Sequence, residues 1–100
     1  RLLSRATLDK ICGAHARGID QVLSKENAFS YGFGRNSIVN TYGRSDRSFG
    51  FGGAGGSVSF ADPDVGVGFS WIMNRMWYRF ADPRFLACRN AVYAALERRT

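Results

Sequence analysis

Apolar and polar positions change their period several times along the chain, and each change marks an element. Leu8, Ile11 and Cys12 recur at helical spacing behind Ser4, whose hydroxyl suits a helix cap, and Gly13 and Gly18 supply the exit. A mixed polar loop is expected from about residue 18 to residue 30. Tyr31-Gly32-Phe33-Gly34 then alternates bulky aromatics with glycine at a period of two. That pattern predicts a strand with one packed face and one face open to a close neighbour. Residues 36–48 turn polar around Gly43 and the run Arg44-Ser45-Asp46-Arg47, which predicts an exposed connection.

Further on, residues 57–61 alternate with Val58 and Phe60 on one face, and Val65, Val67, Phe69, Trp71 and Met73 alternate with Gly66, Gly68 and Ser70. Between them Asp62-Pro63-Asp64 carries a turn signal, because proline fixes φ at the corner and aspartate bonds nearby backbone. An antiparallel hairpin is expected. Asp82-Pro83 then opens a last helix, with a capping residue before a proline whose missing N–H is harmless in the first turn. Phe85, Cys88, Val92 and Leu96 fall along one side of it, and Arg98 and Arg99 suit the negative end of its dipole. The order is helix, strand, hairpin, helix. The one-sided apolar face of the hairpin needs a cover, and the two helices are the available ones, which predicts an α+β fold of antiparallel strands covered by an N-terminal and a C-terminal helix.

Composition sharpens this picture at a few points. With 100 residues, 45% of them apolar and eight Phe, the chain suits a single domain or a piece of one with a real core. No stretch approaches the roughly 18 apolar residues of a spanning helix, so no membrane segment is expected. The formal charge of +6 comes mostly from arginine, but the arginines are scattered among acids and form no block of like charge. A solvated surface is the expectation, and nucleic acid is not an expected partner. Cys12 and Cys88 lie far apart and are expected to be small buried apolar residues without a disulfide.

Candidate chemistry is sparse. Gly50-Phe51-Gly52-Gly53-Ala54-Gly55 satisfies the letters G-x-G-x-x-G, but a strand follows it where the dinucleotide fingerprint needs a helix. Cys12 and His15 lie one helical turn apart and could be half a metal site, yet no second pair completes it, so neither metal nor cofactor is expected. Thr7 and Lys10 have the spacing of a nucleophile and a base, on a capped helix whose threonine is expected to face solvent. Trp71, Trp77, Tyr78 and Phe80 are expected to be core. The glycine run is different. Bare backbone can approach a ligand without a Cβ in the way, and its amides can aim at a developing oxyanion, though a tight crossing of two elements would need the same glycines.

Phe49-Gly50-Phe51-Gly52-Gly53-Ala54-Gly55-Gly56-Ser57, with Phe60-Ala61-Asp62-Pro63 and Met73-Asn74-Arg75-Met76 behind it, resembles the C-terminal end of the β-lactamase-related serine hydrolases. These include class C β-lactamases, D-alanyl-D-alanine carboxypeptidases and family VIII esterases. The resemblance implies the C-terminal portion of a penicillin-binding-type fold across residues 1–100, with the first helix and first strands supplied upstream. It also implies acyl transfer by a Ser-x-x-Lys nucleophile and a Tyr-x-Asn partner, neither of which occurs in this sequence. The third family motif, Lys-Thr-Gly or His-x-Gly, falls on Phe51-Gly52-Gly53. Phe51 stands where a cationic or polar side chain is expected, Gly53 matches the motif glycine, and the Ala54 amide is the implied oxyanion donor.

Residues Phe51, Gly52, Gly53 and Ala54 are therefore expected to wall an acyl site for a small-molecule ester or amide, beside the N-terminal part of the same domain. By itself the chain is expected to be inactive, because a wall cannot replace acylation machinery. The alternatives are a non-catalytic binding or scaffolding relative and, from a third class, a basic nucleic-acid-binding module.

Overall fold

Ser4 caps the first helix as its sequence position suggests: its Oγ accepts the Thr7 N–H at 3.1 Å, and Thr7 stays exposed. The computed structural model describes residues 2–13, 15–37, 40–79 and 81–99, the last without its side chain. Helix α1 (Arg5–Ile11) precedes strands β1 (Ala16–Ile19), β2 (Glu26–Phe29), β3 (Gly34–Arg35), β4 (Phe49–Gly52), β5 (Val58–Asp62) and β6 (Val67–Trp71), and helix α2 (Pro83–Arg99) closes the order. The six strands form one antiparallel sheet in which spatial order repeats chain order.

Strand register decides which helix covers which face. Phe49 pairs with Ala61, and Phe60 pairs with Phe69. Adjacent residues of a strand point to opposite faces, so Ala61 and Phe60 divide the sheet between two cores. On one face Phe49 packs with Ile11 and Cys12, joined by Leu8, Phe33 and Ala61. On the other, Phe60 packs with Tyr42, Phe85 and Tyr93, joined by Val58, Val67, Phe69, Trp71 and Leu86. Thus α1 covers one face and α2 the other. A buried polar clasp ties α2 to the sheet: the Tyr93 hydroxyl donates to Asp62, which is 1% exposed, and accepts the Arg44 N–H at 3.0 Å.

The expected hairpin is present, with Val58 opposite Trp71 and Asp62 opposite Val67. Its turn is longer than the Asp-Pro-Asp signal suggested. Gly66, at φ +71, donates its N–H to the Asp62 carbonyl, so β6 starts at Val67 instead of Val65. The last helix begins at Pro83, as expected, and Asp82 Oδ1 accepts the Arg84 N–H at 2.9 Å.

Four expectations need correction. Residues 18–30 are not a loop, because β1 and β2 pair there in a hairpin from Ala16↔Phe29 to Ile19↔Glu26. The aromatic–glycine alternation at 31–34 is mostly a turn: Gly32 has φ +77, Ser30 donates its N–H to the Phe33 carbonyl, and only Gly34 enters β3. The connection over residues 36–48 is not exposed throughout, since Tyr42, Gly43 and Ser48 are buried in it. Cys12 is buried as expected, whereas Cys88 is exposed, because the covered side of α2 runs through Phe85, Val92 and Tyr93 and leaves position 88 outside.

Candidate functional site

The glycine run owes its geometry to a mismatch in strand length. Strand β3 pairs only with the start of β4, Arg35 with Phe49 and Gly34 with Gly50. Past Gly50, β4 keeps its partner on the β5 side, Phe51 opposite Ser59 and Gly52 opposite Val58, and among the described residues has no strand on the other. The Gly53 N–H donates to the Ser57 carbonyl at 2.8 Å, so Gly53 faces β5. Backbone groups alternate along a strand, and the Gly52 amide and carbonyl therefore point to the open edge.

A tight turn follows. Gly56 donates its N–H to the Gly53 carbonyl at 3.1 Å, and Gly55 and Gly56 adopt φ +93 and +115. The Trp77 N–H donates to the Gly55 carbonyl at 2.8 Å, which ties the segment after β6 across the turn. Ala54 lies exposed in the turn, and no described group accepts its amide hydrogen.

Added Cβ atoms separate the glycines the fold requires from those it does not. At Gly50 a Cβ would strike the Ser59 carbonyl and the Phe60 backbone. At Gly55 it would lie 2.8 Å from Met76 in a left-handed backbone. At Gly53 it meets only Ser57 Oγ, at 3.4 Å, and φ is ordinary. The tight crossing weighed from the sequence thus occurs at some of these positions and not at others. Gly50 and Gly55 are tight crossings; Gly53 is bare without a packing reason.

Phe51, Gly52, Gly53 and Ala54 all line one groove of about 590 Å³ along the open edge. Phe51 is 61% exposed there. Sequence reasoning missed the opposite wall, where Trp77, Tyr78 and Arg79 come from the segment after β6, and the end of the groove at Asp20 and Asn27. The aromatic residues were expected in the core, and only Trp71 packs against it; Trp77 is half-buried, Tyr78 is exposed, and Phe80 lies outside the described residues. A findable signal for Asp20 was its place just ahead of Gln21-Val22-Leu23, since aspartate readily accepts from amides two and three residues on. Asp20 Oδ1 accepts the Val22 and Leu23 N–H groups at 2.8 and 3.0 Å, and Oδ2 accepts from Asn27 Nδ2 at 3.4 Å. Those backbone donors hold its carboxyl below the ordinary carboxylate range.

Other candidates do not assemble. His15 Nε2 lies 2.7 Å from the Lys10 carbonyl and its ring stacks on Tyr31 at 4.2 Å, while Cys12 packs in the core. Among the described residues no cluster of three His, Cys, Asp or Glu is placed to hold a metal, and no helix is long and apolar enough to cross a membrane. Several arginines are engaged in ion pairs, Arg17 with Glu26, Arg44 with Glu97, Arg47 with Asp9 and Asp64, and Arg84 with Asp82. The positive charge is spread and partly neutralised.

Two solved structures share this architecture. A penicillin-binding protein homologue from Caulobacter crescentus superposes with a TM-score of 0.82 at 36% identity over 93% of this chain. The chain shares the fold of the β-lactamase-related proteins. EstA from Arthrobacter nitroguajacolicus Rue61a superposes with a TM-score of 0.84 at 27% identity over 96% of the chain. The chain spans about a quarter of the length of either, 25% of the first and 26% of the second. No family model and no curated protein matches it. The six-stranded antiparallel sheet with its two helices is accordingly an α+β fold that matches the corresponding part of these penicillin-binding-type structures.

Proposed function

We propose that this chain supplies one wall of the acyl site of a serine hydrolase acting on a small-molecule ester or amide. The observation that carries the reading is Gly53: a glycine the fold does not need, next to an unpartnered Ala54 amide, at the open edge of β4 and inside the groove. An amide held in a hydrogen-bonded turn is the kind of donor that can stabilise an oxyanion, because it needs little reorganisation as charge develops. Likeness to EstA and to a penicillin-binding protein homologue supports the hydrolase class. The nucleophile and its base come from sequence outside these residues, as no serine here has a lysine three positions on.

Chromogenic-ester hydrolysis tests this. The 100-residue chain alone gives no turnover above background, whereas a longer protein carrying this segment hydrolyses the ester and loses on the order of tenfold or more when Gly53→Val crowds the Ala54 amide, in line with the loss of one oxyanion donor. Full activity in Gly53→Val with an unchanged circular dichroism spectrum removes the segment from the site. A non-catalytic binding relative is the second reading, favoured by Phe51 at the position of the family's cationic or polar residue, and it predicts no turnover in any form of the protein.

A further inference from the structure

We propose that Arg84 is a positioning residue for the glycine wall: from outside the groove it fixes the turn at residues 53–56 that carries the Ala54 amide. The inference rests on the assignment of that wall to an acyl site and adds to it the side chain that keeps the wall in shape. Neither Arg84 nor Asp82 is among the residues lining the groove, so the effect passes through the segment between β6 and α2.

That segment has little of its own to hold it. Residues 72–79 form neither helix nor strand, and among the described residues two hydrogen bonds tie them to their surroundings. In one, the Trp77 N–H donates to the Gly55 carbonyl at 2.8 Å. In the other, Arg84 Nη2 donates to the Arg75 carbonyl at 2.8 Å. The turn is also in close contact with the segment. Met76 Cε lies 2.8 Å from where a Cβ of residue 55 would stand, and at residue 56 the same point lies 3.3 Å from Asp82 Oδ2 and 3.8 Å from Trp77 Cβ. The two positive-φ glycines are thus seated against Met76, Trp77 and Asp82.

Arg84 clamps this arrangement from the first turn of α2. Its Nε donates to Asp82 Oδ1 at 3.0 Å and its Nη2 to Asp82 Oδ2 at 2.8 Å, the fork that a guanidinium offers to a carboxylate. The same Nη2 reaches the Arg75 carbonyl, and the guanidinium lies over the Trp77 ring, 5.6 Å from its centroid. One planar cation therefore holds residues 75 and 77 together, and the N–H of the second grips Gly55. Asp82, which is buried, anchors the clamp in the fold. A lysine cannot replace it, because a single ammonium has no plane to stack and no fork to span both carboxylate oxygens while reaching a carbonyl.

Amide hydrogen exchange in Arg84→Lys tests the clamp, since this change keeps the charge and the helix propensity and removes only the fork. In the 100-residue chain the Trp77 N–H is expected to exchange at least about tenfold faster in the variant, while amides inside α2 around Tyr93 change by less than about threefold, because a local opening leaves global protection in place. Tyr93→Phe is the control. It loosens α2 from the sheet without touching the clamp, and should speed the core amides at least as much as that of Trp77. Equal changes at Trp77 and in the core of Arg84→Lys, no protection of Trp77 in the unchanged chain, or a selective effect of Tyr93→Phe at Trp77 overturns the proposal. In a longer protein that hydrolyses the chromogenic ester, Arg84→Lys is expected to lower kcat about fivefold or more with KM held within about twofold, as displacement of a transition-state donor does. An unchanged kcat there overturns the proposal as well. A longer protein with no turnover sinks the hydrolase reading alone, and the exchange ratio then decides whether Arg84 sets the turn.

Discussion

Gly50 and Gly53 sit three positions apart in one glycine run and do opposite jobs. Position 50 is closed by the backbone of β5, whereas position 53 has room for a methyl group beside Ser57. Gly50→Ala should therefore destabilise the chain by about 1–3 kcal/mol, the usual cost of forcing atoms into a filled place. Gly53→Ala should leave stability within about 0.5 kcal/mol, or raise it slightly by restricting the unfolded chain. Urea unfolding of both variants checks the contrast, and comparable losses at the two positions would mean that Gly53 is held by packing after all. Arg35 makes a different point at this scale. It is 6% exposed, its Nη2 donates to the Asp46 carbonyl, and its Nε and Nη1 have no partner among the described residues. Desolvation pushes its pKa down, the direction expected when burial disfavours the charged form.

Among the elements, α2 depends on the residue that precedes it. Asp82 is 5% exposed, accepts from the Arg84 backbone, and holds the Arg84 guanidinium at 2.8 Å; that guanidinium, then the backbone donors, keep the carboxyl below its ordinary value of 3.8. A carboxyl with a lowered folded-state pKa adds stability above its unfolded pKa and loses it as pH falls through the folded value. Asp82→Ala should accordingly cost about 1 kcal/mol or more at pH 7, as removal of a helix cap does. Its melting temperature should approach that of the unchanged protein as pH falls through the lowered folded-state value, where Asp82 loses its charge. Elements with one packed face, α1, the β5–β6 hairpin and α2, were legible in the sequence because burial imposes a period on them. Strand β1 imposes none: all four of its residues are exposed, so the β1–β2 hairpin reads as a polar loop. Tyr31 and Phe33 misled for the reverse reason, since aromatics can flank a turn glycine at the spacing a strand would use. The wall from Phe51 to Ala54 was visible through its glycines. The Trp77 to Arg79 wall was not, because its place depends on the Gly55 carbonyl that ties it across the turn.

At the scale of the whole molecule, the two cores meet through a sheet whose neighbours in space are neighbours in sequence, from β1 to β6 without a crossover. The net +6 is partly offset, with arginines among the described residues paired to Glu26, Glu97, Asp9, Asp64 and Asp82. The unbroken strand order also has a consequence for time. Each strand needs only its predecessor, so short loops close first and the sheet can zip together hairpin by hairpin, as folds rich in local contacts do. The Tyr93 to Asp62 clasp spans 31 residues and can form only once that ladder stands. Stopped-flow kinetics of the chain should then show Phe69→Leu, inside the β5–β6 hairpin, slowing refolding, and Tyr93→Phe, at the late clasp, leaving refolding unchanged while speeding unfolding several-fold for a loss of about 1 kcal/mol or more. During synthesis these strands emerge in the order in which they pair, so the sheet stands half assembled before its last helix arrives to lock it.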